Sequence, residues 1–512
     1  MKTMARSIIV TMLASLISTT ALAQVTAPEG VLTIAVGADP ETFDPHFNDL
    51  PTGNTVDMHV LEGLFRLDSE NNVINELATE YAFSEDGKTF TVKIEDGHVF
   101  SNGNPLNAEA VAASFNRLLD PAVGSIYRGL YASIERVSAS DATTVVFHLA
   151  EPNGHVLLLL ASTTATIIDV KALAEMGAEY SRRPVGSGPY MVESFVGGER
   201  YRLVPSPTYK GAFPATLEAI DFLVVPEDGS RMAMMETGEI DIAERVPPES
   251  IETIRSIDGM DVITPPSMFS INMEMVLKGP LEDPRVREAL NLSVDREGMI
   301  QGILGGLGTS SVTMPGPGTQ NELRVTFDPI PFDVERAKEL MQEAGYAPGE
   351  LSLTMVCPNG RYIKDAQICQ ALQGSFQAIG INATAQVVDR GTWTEIVSQP
   401  PAQRQDNMGM LGRATAGMDF TLYRLFKSGV GANTTGYSNP EVDDMLAQGR
   451  AETDLARQKD IYARIQQKIW EDRPFIFLWY QTQAIGVSDR VKGLEVQPNE
   501  TMHFEHVSLS NS

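Results

Sequence analysis

The stretch ATEYAFSEDGKTFTVKIEDGHVFSNGNPLNAEAVAASFNRLLD, Ala78 to Asp120, holds both periodicities of an α/β chain. Phe90, Val92 and Ile94 alternate with Thr91 and Lys93, which places them on one face of a half-buried strand. After the turn-rich SNGNPL, Asn107 stands where a helix N-cap is needed, and Val111, Phe115 and Leu118 then fall on one helical face. Working outward, the alternation recurs. Val31 to Val36 and the Val145, Phe147, Leu149 series read as strands. Asp283-Pro284 is a cap followed by proline at the first helical position, opening a helix through Val286 and Leu290. Asp333 opens another, with Ala337, Leu340 and Met341 apolar and Gly345 placed to end it. A long helix from about Asp454 to Glu471 carries Leu455, Ile461, Tyr462, Ile465 and Ile469 on one stripe before Pro474 stops it. The run FIFLWY, Phe475 to Tyr480, then reads as a strand buried on both faces. No tandem repeat interrupts these short blocks, so the chain is expected to form one compact α/β molecule rather than a solenoid.

The N-terminus predicts export. Lys2 and Arg6 form a short basic start, a predominantly apolar stretch runs from Ile8 to Ile17, and Ala21-Leu22-Ala23 has the small-x-small pattern of a leader cleaved before Gln24. About ten apolar residues are too few to span a bilayer, and no cysteine stands at the cleavage point to take a lipid anchor. The expectation is a protein free in the periplasm. The 512-residue chain has a formal net charge of −28, and loss of Lys2 and Arg6 makes it two units more negative. Such a charge repels phosphate backbones and anionic lipid, so nucleic acid is not an expected partner. Its plain consequence is solubility.

Catalytic signatures are missing from the sequence. There is no HExxH, GxSxG, GxxxxGK[ST] or close cysteine quartet. His503 and His506 form an HxxH, but on a strand they face opposite sides. GGLG at Gly305 to Gly308 follows a helix and reads as the loop that ends it. Met234, Met235, Met273 and Met275 read as core filling. Neither an enzyme nor a resident cofactor or metal is expected. The only cysteines, Cys357 and Cys369, bracket PNGRYIKDAQI. In an oxidising compartment they can close one loop, contributing about 3 kcal/mol, or they can be two buried thiols.

Several segments together resemble one family. AVGADPETFDPHF (Ala35 to Phe47), the Ala78 to Asp120 stretch, VGSGPY (Val185 to Tyr190), ETGEIDIAE (Glu236 to Glu244), EDPRVREALNLSVDREGMI (Glu282 to Ile300) and NTTGYSNPEVDDML (Asn433 to Leu446) carry the likeness. They look like the family 5 extracellular solute-binding proteins of bacterial ABC importers, which include dipeptide, oligopeptide, glutathione and nickel binders. The resemblance implies a two-lobe periplasmic binding protein of type II, cluster C. Lobe one would comprise residues 24–58 and 186–268, with an extra subdomain at 59–185 and a return at 480–512. Lobe two would span 269–479. FSINME from Phe269 and FIFLWY up to Trp479 would be the hinge, and lobe closure would present the ligand to a permease.

The resemblance also assigns residues. GRY at Gly360 to Tyr362 falls where relatives present an arginine and a tyrosine, so Arg361 would grip a ligand carboxylate and Tyr362 would stack or donate its hydroxyl. The plain alternative pairs Arg361 with Asp365. In GRATAGMDF, Asp419 matches the aspartate that takes a peptide α-amino group, or else caps the helix of FTLYRLF; Arg413 is a further candidate for the carboxylate. Gly412-Arg413 and Asp419-Phe420 stand where many peptide binders have a tryptophan and a DP pair, which is nearer the glutathione-like branch. His46, in TFDPHF, is a candidate contact to a nickel chelate, or a structural loop histidine. A disulfide between Cys357 and Cys369 would then pre-organise the Arg361 loop. The expected function is that of a monomeric periplasmic component that binds a short peptide and delivers it to an ABC importer with a permease pair and cytoplasmic ATPases. The alternatives are a nickel-chelate, opine or oligosaccharide binder of the same fold, a binding module that reports to a membrane sensor, and a secreted hydrolase.

Overall fold

The computed structural model describes residues 28–510 except 41, 49, 415, 416, 431, 432 and 453. The expected leader and its cleavage point lie outside the described residues. No described helix is long and apolar enough to cross a membrane.

The local signals fold as their chemistry dictates. Asn107 Oδ1 accepts the Ala110 N–H at 3.0 Å and starts the helix Ala108–Leu119. Asp283, Asp333 and Asp454 cap the helices Pro284–Leu292, Val334–Glu343 and Leu455–Asp472 in the same way. Each cap satisfies an amide that the helix itself leaves without a partner. Leu455 departs from its expected stripe: it is 49% exposed, while Ile461, Tyr462, Ile465 and Ile469 are buried. It stands at the first helical position, ahead of the turn where the apolar face meets its neighbours.

Three sheets organise the chain. In the four-stranded antiparallel sheet, Thr89–Ile94 pairs with Thr144–Leu149 so that Phe90 faces Phe147 and Val92 faces Val145. This sheet and the helix Ala108–Leu119 enclose an apolar core of their own, running from Leu64 to Ile167. A seven-stranded sheet is built around Val31–Val36, which lies parallel to both Ala219–Val224 and Ile242–Ala243. A six-stranded sheet places Phe475–Thr482 between Gly308–Ser310 and Pro266–Met275, followed by Met408–Arg413, Ser352–Pro358 and Asn382–Val388. Phe475 to Tyr480 are all buried, because neighbouring strands and helices cover both faces.

The chain passes between the two large sheets at residues 264–265 and 483–484, since Met260–Ile263 and Ile485–Ser488 belong to the seven-stranded sheet and Pro266–Met275 and Phe475–Thr482 to the six-stranded one. The crossings lie outside the expected 269 and 479. Both strands run longer than their apolar cores, through a register shift between Pro266 and Ser270. The two segments lie side by side, and the Gln483 N–H donates to the Pro265 carbonyl at 3.0 Å.

Candidate functional site

The loop after the strand Ser352–Pro358 is held from three sides. Gly360 adopts φ +82°, which only glycine takes without strain, and turns the chain out of the strand. The buried Asp365 carboxylate accepts the backbone N–H groups of Gly360 (3.1 Å), Arg361 (2.8 Å) and Tyr362 (3.0 Å). Cys357 and Cys369 are joined by a disulfide, tying the strand end to the first turns of the helix Asp365–Ala378. Arg361 emerges from this braced loop with its guanidinium 5.0 Å from the Tyr362 ring centre. Asp365 is occupied with amides, and among the described residues no carboxylate pairs with Arg361.

A cavity of about 930 Å³ lies between the lobes. Its size falls in the range of roughly 300–1,000 Å³ usual for small-molecule sites. The subdomain of residues 64–167 contributes Tyr127, Leu158 and Thr163 to one wall; Arg361, Arg413 and Asp419 line the other. Met268 and Phe269, just beyond one crossing, line it as well. Contacts bridge the two sides: the Gly154 N–H donates to the Arg450 carbonyl at 3.5 Å, and His155 Nε2 lies 3.1 Å from the Tyr462 hydroxyl. At the loop's other flank, Lys364 pairs with Glu249 at 2.7 Å. A second recess of about 500 Å³ shares Pro51 and Arg361 with the main cavity.

A mixed α/β chain in two lobes, joined by two adjacent crossings around a solute-sized cavity, is the geometry of a binding protein. The family model of bacterial extracellular solute-binding proteins, family 5 (middle region), matches residues 72–427. The chain belongs to the family 5 extracellular solute-binding proteins. Among family relatives, the glutathione-binding protein GsiB of Escherichia coli strain K12 is 30% identical over 485 residues, covering 93% of this chain and 94% of that protein. GsiB of Shigella flexneri serotype 5b (strain 8401) is 29% identical over equal shares. Two solved structures share the fold. One is the periplasmic binding protein DppA of Helicobacter pylori with the peptide STSA (TM-score 0.84, 22% identity, 94% of this chain and 98% of that one). The other is AgaA of A. tumefaciens R10 with agropinic acid (TM-score 0.81, 22% identity, 94% and 99%). Family 5 members are binding proteins rather than enzymes.

Within this family 5 cavity, most charges are already matched. Arg413 makes a two-pronged contact with the buried Glu274, at 2.5 and 2.7 Å, and reaches Thr434 Oγ1 at 3.1 Å. Burial pulls the Arg413 guanidinium down, but Glu274 more than offsets it and its pKa is raised. Asp419 receives Arg450 at 3.0 and 2.8 Å on Oδ2 and the Tyr462 hydroxyl at 3.1 Å on Oδ1. It is not the helix cap: Gly417 holds that position before Met418–Phe426. Asp419 therefore faces the cavity as half of an ion pair.

Two expected contacts are placed elsewhere. His46 is buried away from the cavity, where its Nδ1 accepts Arg117 Nη1 at 2.6 Å and Asp44 pairs with the same arginine. The proline-stiffened loop turns the ring inward, and burial, the largest influence, pulls its pKa down to about 4. Tyr362 is also buried. Its hydroxyl accepts the Gly412 N–H at 2.7 Å and its ring packs edge-on against Trp393, so it supports the wall and only borders the smaller recess. A Cβ on Gly412 would stand 2.6 Å from the Tyr362 ring, which is why glycine is needed there.

Residues the sequence reading missed complete the site. Arg450, Glu274 and Tyr462 are the partners described above. Arg424, in the last turn of Met418–Phe426, lines the cavity 5.6 Å from the Phe420 ring centre. A lone cation inside the apolar run FTLYRLF was its only sequence signal, and the same signal fits a helix C-terminus.

Proposed function

We propose that this protein is the periplasmic substrate-binding component of an ABC importer, capturing a short peptide of glutathione-like chemistry and delivering it to the permease pair. It works as a monomer after removal of its leader and performs no catalysis. The observation that carries this reading is the solute-sized cavity between two lobes joined only by the paired crossings, with the Arg361 guanidinium in its wall. The names of the relatives, glutathione-binding proteins over nearly the whole chain, support the ligand class.

Arg361 suits a ligand carboxylate. Its loop is pre-ordered by Asp365 and the disulfide, so little freedom remains to be lost on binding. Asp419 would meet an α-amino group only by sharing its carboxylate with Arg450, and the ion pair offers the ligand both signs of charge. The test is the melting temperature of protein stripped of ligand by unfolding and refolding, recorded with di- and tripeptides, their N-acetylated forms, glutathione and nickel chelates. A ligand at 100 times its dissociation constant adds about 2.7 kcal/mol to stability. We expect glutathione or short peptides to raise the melting temperature and Arg361→Ala to abolish most of the rise. Silence across the peptides with a response to a nickel chelate overturns the ligand class.

A further inference from the structure

The cavity's charges do not balance. Arg413 is matched by Glu274, Arg450 by Asp419, and Arg66 by Glu76 and Glu505. Two cations in the wall remain, Arg361 and Arg424, and no described carboxylate pairs with either; the exposed Glu151 also lines the cavity but is bonded to neither. The chain carries 67 acidic residues against 39 basic ones, yet among the described residues no carboxylate forms an ion pair with Arg424. Glu274 is near enough to act on it through space but is committed to Arg413.

The position of Arg424 is costly without an anion. It is half-buried, and burial first and the neighbouring Arg413 second pull its pKa down to about 10. Removing a cation from water without a partner is unfavourable, so an unmatched guanidinium in a ligand cavity marks where a ligand charge belongs. Arg361 and Arg424 hold different stations. Arg361 stands where the main cavity meets the smaller recess and acts through space on Arg245, whereas Arg424 lies toward Arg413 and Tyr127. A single carboxylate taken by Arg361 leaves Arg424 unmatched.

We propose that Arg424 receives a second carboxylate of the ligand, which makes the site selective for solutes carrying two acidic groups, one for each unmatched arginine. This rests on the reading of the cavity as the ligand site and deepens it by naming the ligand's charge pattern. Chemically, the class includes peptides with an acidic side chain or a γ-linked glutamyl residue, and also non-peptide dicarboxylates of similar length.

Calorimetric titration of ligand-stripped protein with matched pairs tests it. The pairs are Ala-Glu with Ala-Gln, a γ-glutamyl dipeptide with its mono-amide, and an N-carboxyalkyl amino acid with its mono-amide. Wild-type protein is expected to favour the diacid of a pair by about tenfold or more, as a charge-assisted contact gives. Arg424→Gln is expected to bring that ratio to near one, and Arg424→Lys, which keeps the charge, to restore part of it. Equal binding of diacid and amide by wild type, or an unchanged ratio in Arg424→Gln, overturns the proposal while leaving peptide import standing. Peptides that all fail while the N-carboxyalkyl diacid binds in an Arg424-dependent way overturn the peptide reading and uphold this one. Failure of every diacid to bind overturns it outright.

Discussion

At the scale of single residues, His46 shows how burial turns a candidate contact into a structural group. It is neutral in the fold because burial lowers its pKa to about 4, with Arg117 adding to that pull and Asp44 opposing it. The Arg117 donor on Nδ1 also needs the unprotonated ring nitrogen. An unfolded histidine titrates near pH 6.5. The folded value lies below the unfolded one, so the stability this group contributes is present above about pH 6.5 and is lost as pH falls through about 4. Melting temperatures recorded from pH 7 to pH 4 are expected to decline, and His46→Gln to flatten that decline; an equal slope in the variant contradicts the assignment. His59, also buried and lowered to about 3, contributes in the same direction. Legibility at this scale followed sequence distance. Asn107, Asp283 and Asp333 were readable because each cap acts on an amide two or three residues away. The Arg413 to Glu274 pair joins positions 139 apart, and nothing in either neighbourhood announces the other.

At the scale of elements, the strand Ser352–Pro358 and the helix Asp365–Ala378 act as two posts for the Arg361 loop. The disulfide locks their near ends, and the Asp365 carboxylate gathers the three amides between them. The sequence left open whether the cysteines were bonded, because spacing alone does not say how far apart the strand and helix set them. Replacing both by serine should cost about 2–4 kcal/mol, read as a lower melting temperature. It should also weaken ligand binding, because the loop must then be ordered at the moment of contact. A variant that melts lower but binds with unchanged affinity confines the bond to a stabilising role. Tyr362 belongs to the same scaffold. Its neighbour relation to Arg361 suggested a shared task, but adjacent residues leaving a turn point in different directions, one to the cavity and one into the core.

At the scale of the whole molecule, the alternation of period two and period 3.6 was enough for the α/β class, and the family likeness supplied the two lobes. The crossings were displaced by a few residues, because apolar runs report where a strand is buried rather than where it stops pairing. Only residues 264–265 and 483–484 join the large sheets, so a closing motion of the lobes would make and break contacts across the cavity such as His155 with Tyr462. Without ligand, the unmatched arginines favour an arrangement that readmits water. X-ray scattering is expected to give a larger radius of gyration for the stripped protein than for the liganded one. Equal radii would mean that the lobes stay closed on an empty cavity.

The pairing of Pro266 with Thr482 has a consequence for how such proteins diversify. The way into the second lobe and the way out lie one strand spacing apart, about 4.8 Å. Everything between them forms one uninterrupted stretch of sequence, including the loop that carries Arg361, the strand that ends at Arg413 and the helix that carries Asp419 and Arg424. A different stretch with ends equally close could replace it without rerouting the rest of the chain. Half of a cavity wall, and with it the charge pattern it selects, can thus be exchanged in a single recombination, while the subdomain and the seven-stranded sheet keep their course.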